Sequence, residues 1–166
     1  MKKNEEYIVT CIDDTDLNSG VVKIDDMVVF VPNLLIGEKA KIKIVKVNKK
    51  YAFGIITQLL KPSINRQELT CEVAKTCGGC QLQHMKYAYQ LDYKYKHVKK
   101  LFEDIEVKSI LGMDSPWYYR NKAQFPVKIK DGKVLMGFYR QHSNDVVTCK
   151  ECKIQDFTIN KIFGFI

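Results

Sequence analysis

The sequence predicts a mainly β protein with some α: a small five-stranded barrel over residues 1–61, then a cysteine-rich α+β region with an antiparallel hairpin over residues 62–166. Three observations predict it. Short β-rich runs separated by turn residues fill the first sixty positions. Pro62-Ser63-Ile64-Asn65-Arg66 then breaks the strand pattern, since proline cannot continue a central strand. Five of the six cysteines lie beyond that break.

Taken in order, Tyr7-Ile8-Val9-Thr10-Cys11-Ile12 is a β-rich run that stops at the Asp13-Asp14-Thr15-Asp16 turn cluster. Cys11, in mid-strand, reads as a small core residue. Val21–Ile24 meets Met27–Val31 across Asp25-Asp26, a two-residue hairpin connection. Lys39-Ala40-Lys41-Ile42-Lys43-Ile44 alternates strictly, so Lys39, Lys41 and Lys43 share one strand face. The alternation slips at Ile44-Val45, which predicts a β-bulge, and Lys46 either rejoins that face or leaves it there. Tyr51–Leu59 is the fifth strand. Five short strands punctuated by turns describe a closed, OB-like barrel of the oligonucleotide-binding kind. Beyond the connector, Leu82, Met85, Tyr89 and Tyr93 recur at helical spacing, and no Gly or Pro interrupts residues 81–103, so a helix is expected there. Asn121–Lys130 and Val134–Arg140 flank Asp131-Gly132, a strong hairpin signal. Asp156 is a candidate N-cap for a last helix beginning near Phe157.

Lys and Arg number 27 against 19 Asp and Glu, a net charge of +8. Residues 1–60 hold 9 basic and 8 acidic residues and the remainder 18 and 11, so the polyanion-binding signal lies mostly in the second part. The longest apolar run, Met27–Val31, is far short of the ~20 residues of a helical membrane span. No apolar signal-peptide core follows the opening lysines. The expectation is a cytoplasmic protein with no membrane partner, in which six reduced cysteines read as metal ligands rather than disulfides.

Cys71, Cys77 and Cys80 follow C-x5-C-G-G-C, and Cys149 and Cys152 form a second C-x2-C some seventy residues later. Converging thiolates are soft ligands and select zinc or an iron–sulfur cluster. Gly78-Gly79, lacking Cβ atoms, lets backbone N–H groups approach anionic sulfur. Two arrangements satisfy the spacing: a zinc knuckle of Cys77, Cys80, Cys149 and Cys152, or a four-iron cluster on Cys71, Cys77, Cys80 and one late cysteine.

These cysteines stand among further motifs. They follow Gly20-Val21-Val22-Lys23-Ile24, Val28-Val29-Phe30-Val31-Pro32, Gly37-Glu38, Pro62-Ser63 and Arg66. Gln83-His84, Tyr87, Gln90-Leu91, Trp117-Tyr118-Tyr119-Arg120-Asn121-Lys122 and Gly137-Phe138-Tyr139 come after. The combination resembles the RNA uracil-5-methyltransferases of the RumA type over nearly the whole chain. The resemblance implies a TRAM domain for the barrel and RNA as partner, ribosomal (23S) rather than transfer RNA. It implies a [4Fe-4S] cluster on Cys71, Cys77, Cys80 and Cys152, the last because Lys153-Ile154-Gln155 follows it, and leaves Cys149 as an extra thiol.

Arg120 corresponds to the family's arginine near the target nucleotide, and Trp117, Tyr118 and Tyr119 place aromatic faces beside that planar cation, a combination suited to splayed RNA bases. Lys39, Lys41 and Lys43 are the candidate RNA contacts on the barrel. The family's methyltransferase domain adds a glycine-rich S-adenosylmethionine loop, a nucleophilic cysteine and a general base. The nine glycines here include no G-x-G-x-G turn between a strand and a helix. The resemblance therefore implies the N-terminal RNA-binding and cluster-binding part of such an enzyme, with a central region incomplete at its C-terminal end. Alone it is expected to be inactive, with S-adenosylmethionine used only through a separate methyltransferase domain or chain. The alternative is a stand-alone RNA-binding module with a structural zinc site made of four cysteines.

Overall fold

β-Branched and aromatic residues alternate with polar ones through the first sixty positions, and each alternating run forms a strand. The computed structural model describes the backbone of residues 1–165 and the side chains of residues 1–164. The strands are β1 (Glu6–Thr10), β2 (Asp13–Asp14), β3 (Ser19–Ile24), β4 (Met27–Pro32), β5 (Lys39–Val47) and β6 (Tyr51–Lys61). They form one sheet in the order β1-β5-β6-β4-β3-β2, in which only β4 and β6 run parallel. The inward positions supply a core of Val9, Val22, Val29, Val31, Ile42 and Ile44, with Cys11 beside them as expected.

The expected closed five-stranded barrel is corrected to a curled, half-barrel sheet of six strands. The sixth is Asp13–Asp14, expected as a turn. Its pairing with Gly20 and Val21 overrides the low β-propensity of aspartate. β1 and β2 are the sheet's two edges, yet only Cys11 and Ile12 separate them. The Cys11 N–H donates to the Glu38 carbonyl (3.0 Å) and the Ile12 N–H to the Val21 carbonyl (2.9 Å). One stretch of chain thus leaves one edge and joins the other. The corner is tight at Gly20, where a Cβ would meet the Leu34 carbonyl oxygen and come within 2.7 Å of the Cys11 sulfur.

β6 ends at Lys61, just before Pro62. The described residues divide into two contact units, Met1–Gln67 with His84–Lys108, and Glu68–Gln83 with the residues from Ser109 on. In the first unit the connector is fastened by Glu38, whose carboxylate is fully buried. It accepts from the Leu35 N–H (2.9 Å), the Ser63 N–H (3.0 Å), Arg66 Nε (2.5 Å) and Arg66 Nη2 (2.7 Å). The helix α1 spans Tyr87–Leu101, shorter than the expected 81–103. Residues 84–86 pair instead with the connector: Gln67 N–H donates to the His84 carbonyl (2.9 Å), and Lys86 N–H to the Asn65 carbonyl (2.8 Å). Tyr93 holds α1 in this unit, donating its hydroxyl to the Thr15 carbonyl and accepting the Asn18 N–H (3.0 Å).

In the second unit, Asp131 and Gly132 both take positive φ (52° and 72°), as a type I′ turn requires. They join β7 (Val127–Lys130) to β8 (Lys133–Met136). The expected strand Val134–Arg140 is broken at Gly137, which lies against the Val147 carbonyl with no room for a Cβ. β9 (Phe138–Tyr139) then pairs with β10 (Val146–Val147). The last helix, α2 (Phe157–Phe165), starts where expected, and Asp156 Oδ1 accepts the Thr158 N–H (2.7 Å) as its cap. No helix among the described residues is long and apolar enough to cross a membrane.

Candidate metal centre and nucleic-acid face

The early cysteines sit on a turn-rich loop strapped to the β9 strand end. Ala74 N–H donates to the Cys71 carbonyl (3.1 Å) and Cys77 N–H to the Val73 carbonyl (2.8 Å), folding the five intervening residues back on themselves. Gly78 N–H donates to the Tyr139 carbonyl (2.9 Å) and Gln141 N–H to the Thr76 carbonyl (3.0 Å), which fixes Cys77 opposite Arg140. The Gly79 N–H points at Cys77 Sγ, 3.3 Å away, as the glycine pair leads one to expect. The late cysteines follow β10. Asn160 on α2 clasps Cys152 on both sides, its Oδ1 accepting the Cys152 N–H (2.9 Å) and its Nδ2 donating to the Cys152 carbonyl (3.0 Å).

Cys71, Cys77, Cys80, Cys149 and Cys152 all line one cavity in the second unit, and Arg120 lines it with them. The cavity encloses about 30 Å³, where one buried water needs roughly 10–15 Å³ on that measure. Burial pushes the Cys80 thiol up to about 11 and the Cys149 thiol up to about 12, with neighbouring thiols adding to the shift. Cys77 is raised for the same reasons, while the Arg120 charge pulls Cys77 and Cys80 the other way. Among the described residues no three His, Cys, Asp or Glu side chains form a group that could hold a metal ion. The geometry is that of a thiol-lined cavity, and it establishes neither an iron–sulfur domain nor a zinc knuckle.

Arg120 is tied by its backbone to the segment after Cys152. Its N–H donates to the Ile154 carbonyl (2.8 Å), and its carbonyl accepts the Asp156 N–H (2.8 Å). Tyr118, expected to offer a face to bases, uses that face within the protein. It stacks on Phe157 at 4.0 Å between centroids, and its hydroxyl donates to Glu151 (2.9 Å). Tyr119 stays exposed beside Arg120.

On the barrel, Lys39, Lys41 and Lys43 share the outward face of β5, opposite Thr10, Ile8 and Glu6 of β1. Lys41 pairs with Glu6 at 2.7 Å. The register shift between Ile44 and Lys46 is the expected bulge, and it returns Lys46 to that face opposite Phe53. Sequence reasoning missed the aromatic cluster of Phe30, Tyr51 and Phe53 beside this row. Its only signal is outward alternation in two strands, and the parallel pairing that unites them is not legible locally.

The first unit is a curled β sheet with a helix beside it, and the second unit holds a thiol-lined cavity. Residues 3–57 match the TRAM domain family. Over 171 residues the chain is 40% identical to an uncharacterized RNA methyltransferase of Clostridium tetani, with 100% of this chain and 37% of that protein aligned. It is 44% identical over 172 residues to an uncharacterized RNA methyltransferase of Oceanobacillus iheyensis, covering 99% of this chain and 37% of the relative. The chain thus spans little more than a third of these relatives. The solved structure of Pyrococcus abyssi tRNA (uracil-54, C5)-methyltransferase with S-adenosyl-L-homocysteine superposes with a TM-score of 0.62. That match covers 93% of this chain and 34% of the other at 22% identity, a likeness of fold.

Proposed function

We propose that this chain is the RNA-binding and [4Fe-4S]-binding part of an S-adenosylmethionine-dependent RNA (uracil-5-)-methyltransferase acting on 23S ribosomal RNA. The observation that carries it is the gathering of five thiols, from loops seventy residues apart, around one cavity in a chain with a TRAM domain. The donor set is thiols alone, the ligand type that four-iron clusters and structural zinc both take. Cys71, Cys77, Cys80 and Cys152 would hold it, and Asn160 fixes the backbone of Cys152 for that role. Held there, a cluster would cross-link loops distant in sequence, since methyl transfer from S-adenosylmethionine needs no electron. Arg120 lines the cavity as well, where its positive charge would oppose the negative charge that the cysteines take on as ligands. Lys39, Lys41 and Lys43 would meet RNA phosphates from the barrel.

Protein purified without oxygen should be brown and contain iron and sulfide in equal amounts, about four of each per chain. Cys152→Ser should lose more iron than Cys149→Ser, and the reverse ranking would make Cys149 the fourth ligand. A colourless protein with one zinc per chain would overturn the cluster in favour of an RNA-binding module with a four-cysteine zinc site. A transfer RNA substrate is the second reading, favoured by the substrate of the solved neighbour. Competition between an unmodified 23S fragment and unmodified tRNA for the chain separates the two.

A further inference from the structure

β4 and β6 turn Val29 and Ala52 into the core, so the alternate residues Phe30, Tyr51 and Phe53 stand on the opposite, outer face. The three rings form a mutual cluster with centroids 5.8 Å apart for Phe30–Tyr51, 5.9 Å for Phe30–Phe53 and 5.5 Å for Tyr51–Phe53. Tyr51 stands edge-on to both neighbours and is 39% exposed. Parallel strand pairs are ordinarily covered on both faces. Here the outer face of the parallel pair keeps an aromatic surface half open.

The surroundings are cationic. Lys46 lies opposite Phe53, Lys43 lies opposite Ile55, and Lys49-Lys50 lead directly into Tyr51. Two carboxylates of the sheet are paired with other lysines, Glu6 with Lys41 (2.7 Å) and Asp26 with Lys23 (3.9 Å). Among the described residues no carboxylate pairs with Lys46, Lys49 or Lys50. Flat rings bordered by such lysines match bases followed by phosphates. They match unpaired bases in particular, because a duplex keeps its base faces stacked on one another.

We propose that Phe30, Tyr51 and Phe53 form a stacking platform for unpaired bases of single-stranded RNA, with Lys46 and the Lys49-Lys50 turn holding the adjoining phosphates. This rests on the reading of the chain as RNA-binding and adds the residues and the strandedness of the ligand. The test is a salt titration of the full chain's affinity for a fluorescent single-stranded RNA of about ten nucleotides, within the site size of such folds. A duplex RNA of equal length runs in parallel. Tyr51→Ala should weaken single-strand binding about tenfold with an unchanged salt slope, Tyr51→Phe should preserve it, and Lys46→Gln should reduce the slope by about one. In the unsubstituted chain, ring proton resonances of the triad should move upfield when the single strand is added.

If the chain binds RNA but Tyr51→Ala and Phe53→Leu bind as tightly as the parent, or the ring resonances stay still, the platform is overturned and the RNA reading stands. Equal or tighter duplex binding that depends on the same rings overturns the single-strand assignment. A parent chain that binds no RNA overturns both. The resonance measurement needs no substitution, so a variant that fails to fold leaves the proposal open to refutation.

Discussion

Glu38 shows how one side chain can fasten a connector. Burial raises its carboxyl pKa, but the Arg66 guanidinium and the N–H groups of Ser63 and Leu35 outweigh it, holding the group below its ordinary 4.5. The sign follows. A carboxylate with a lowered folded pKa contributes fully above pH 4.5, and that contribution is lost as pH falls through the lower folded value. Removing the charge leaves Arg66, its side chain only 19% exposed, facing uncompensated neutral groups. Glu38→Gln should cost about 3 kcal/mol at neutral pH, the lower end for breaking a buried pair, read from urea melts. The variant's stability should also decline less steeply on the acid side than the parent's. A variant that melts with the parent at pH 7 would show the pair to be dispensable.

At the scale of elements, the corner where β1 passes into β2 depends on a residue with no side chain. Gly20→Ala forces a methyl group into the Leu34 carbonyl and the Cys11 sulfur. It should destabilise the barrel by about 2 kcal/mol, as overpacking does, measured as a lowered thermal midpoint. An unchanged midpoint would mean that the corner can open. Most elements were legible because their signals are local: the alternation of β5 and its bulge, the Asp-Gly hairpin turn, and the Asp156 cap. What escaped was decided at a distance. β2 exists because Asp13 and Asp14 find β3, and α1 begins late because residues 84–86 find the connector. In the candidate site, the grouping of the cysteines could be read from their spacing. The Tyr118 stack on Phe157 could not, because Phe157 lies on another element. The Phe30–Phe53 pairing was hidden likewise, since a parallel register leaves no trace in neighbouring residues.

For the whole molecule, the proposed role carries an expected silence. Incubated with S-adenosylmethionine and unmodified RNA, this chain should form no 5-methyluridine, because the proposed role leaves methyl transfer to a separate methyltransferase domain. Label transferred to RNA by a clean preparation would refute that. The thiol cavity also has a history written in chain order. Cys71, Cys77 and Cys80 are made some seventy residues before Cys149 and Cys152. At roughly 5–20 residues per second on the ribosome, they wait about 4–15 s for their partners. The residues made in that interval include α1, which belongs to the other unit, so the chain leaves the cavity's unit and later returns to it. Translation therefore leaves three bare thiols open to oxidants and stray copper before the cavity walls exist. Slowing the ribosome between the two cysteine groups would lengthen that vulnerable window, while reducing conditions during synthesis would protect it.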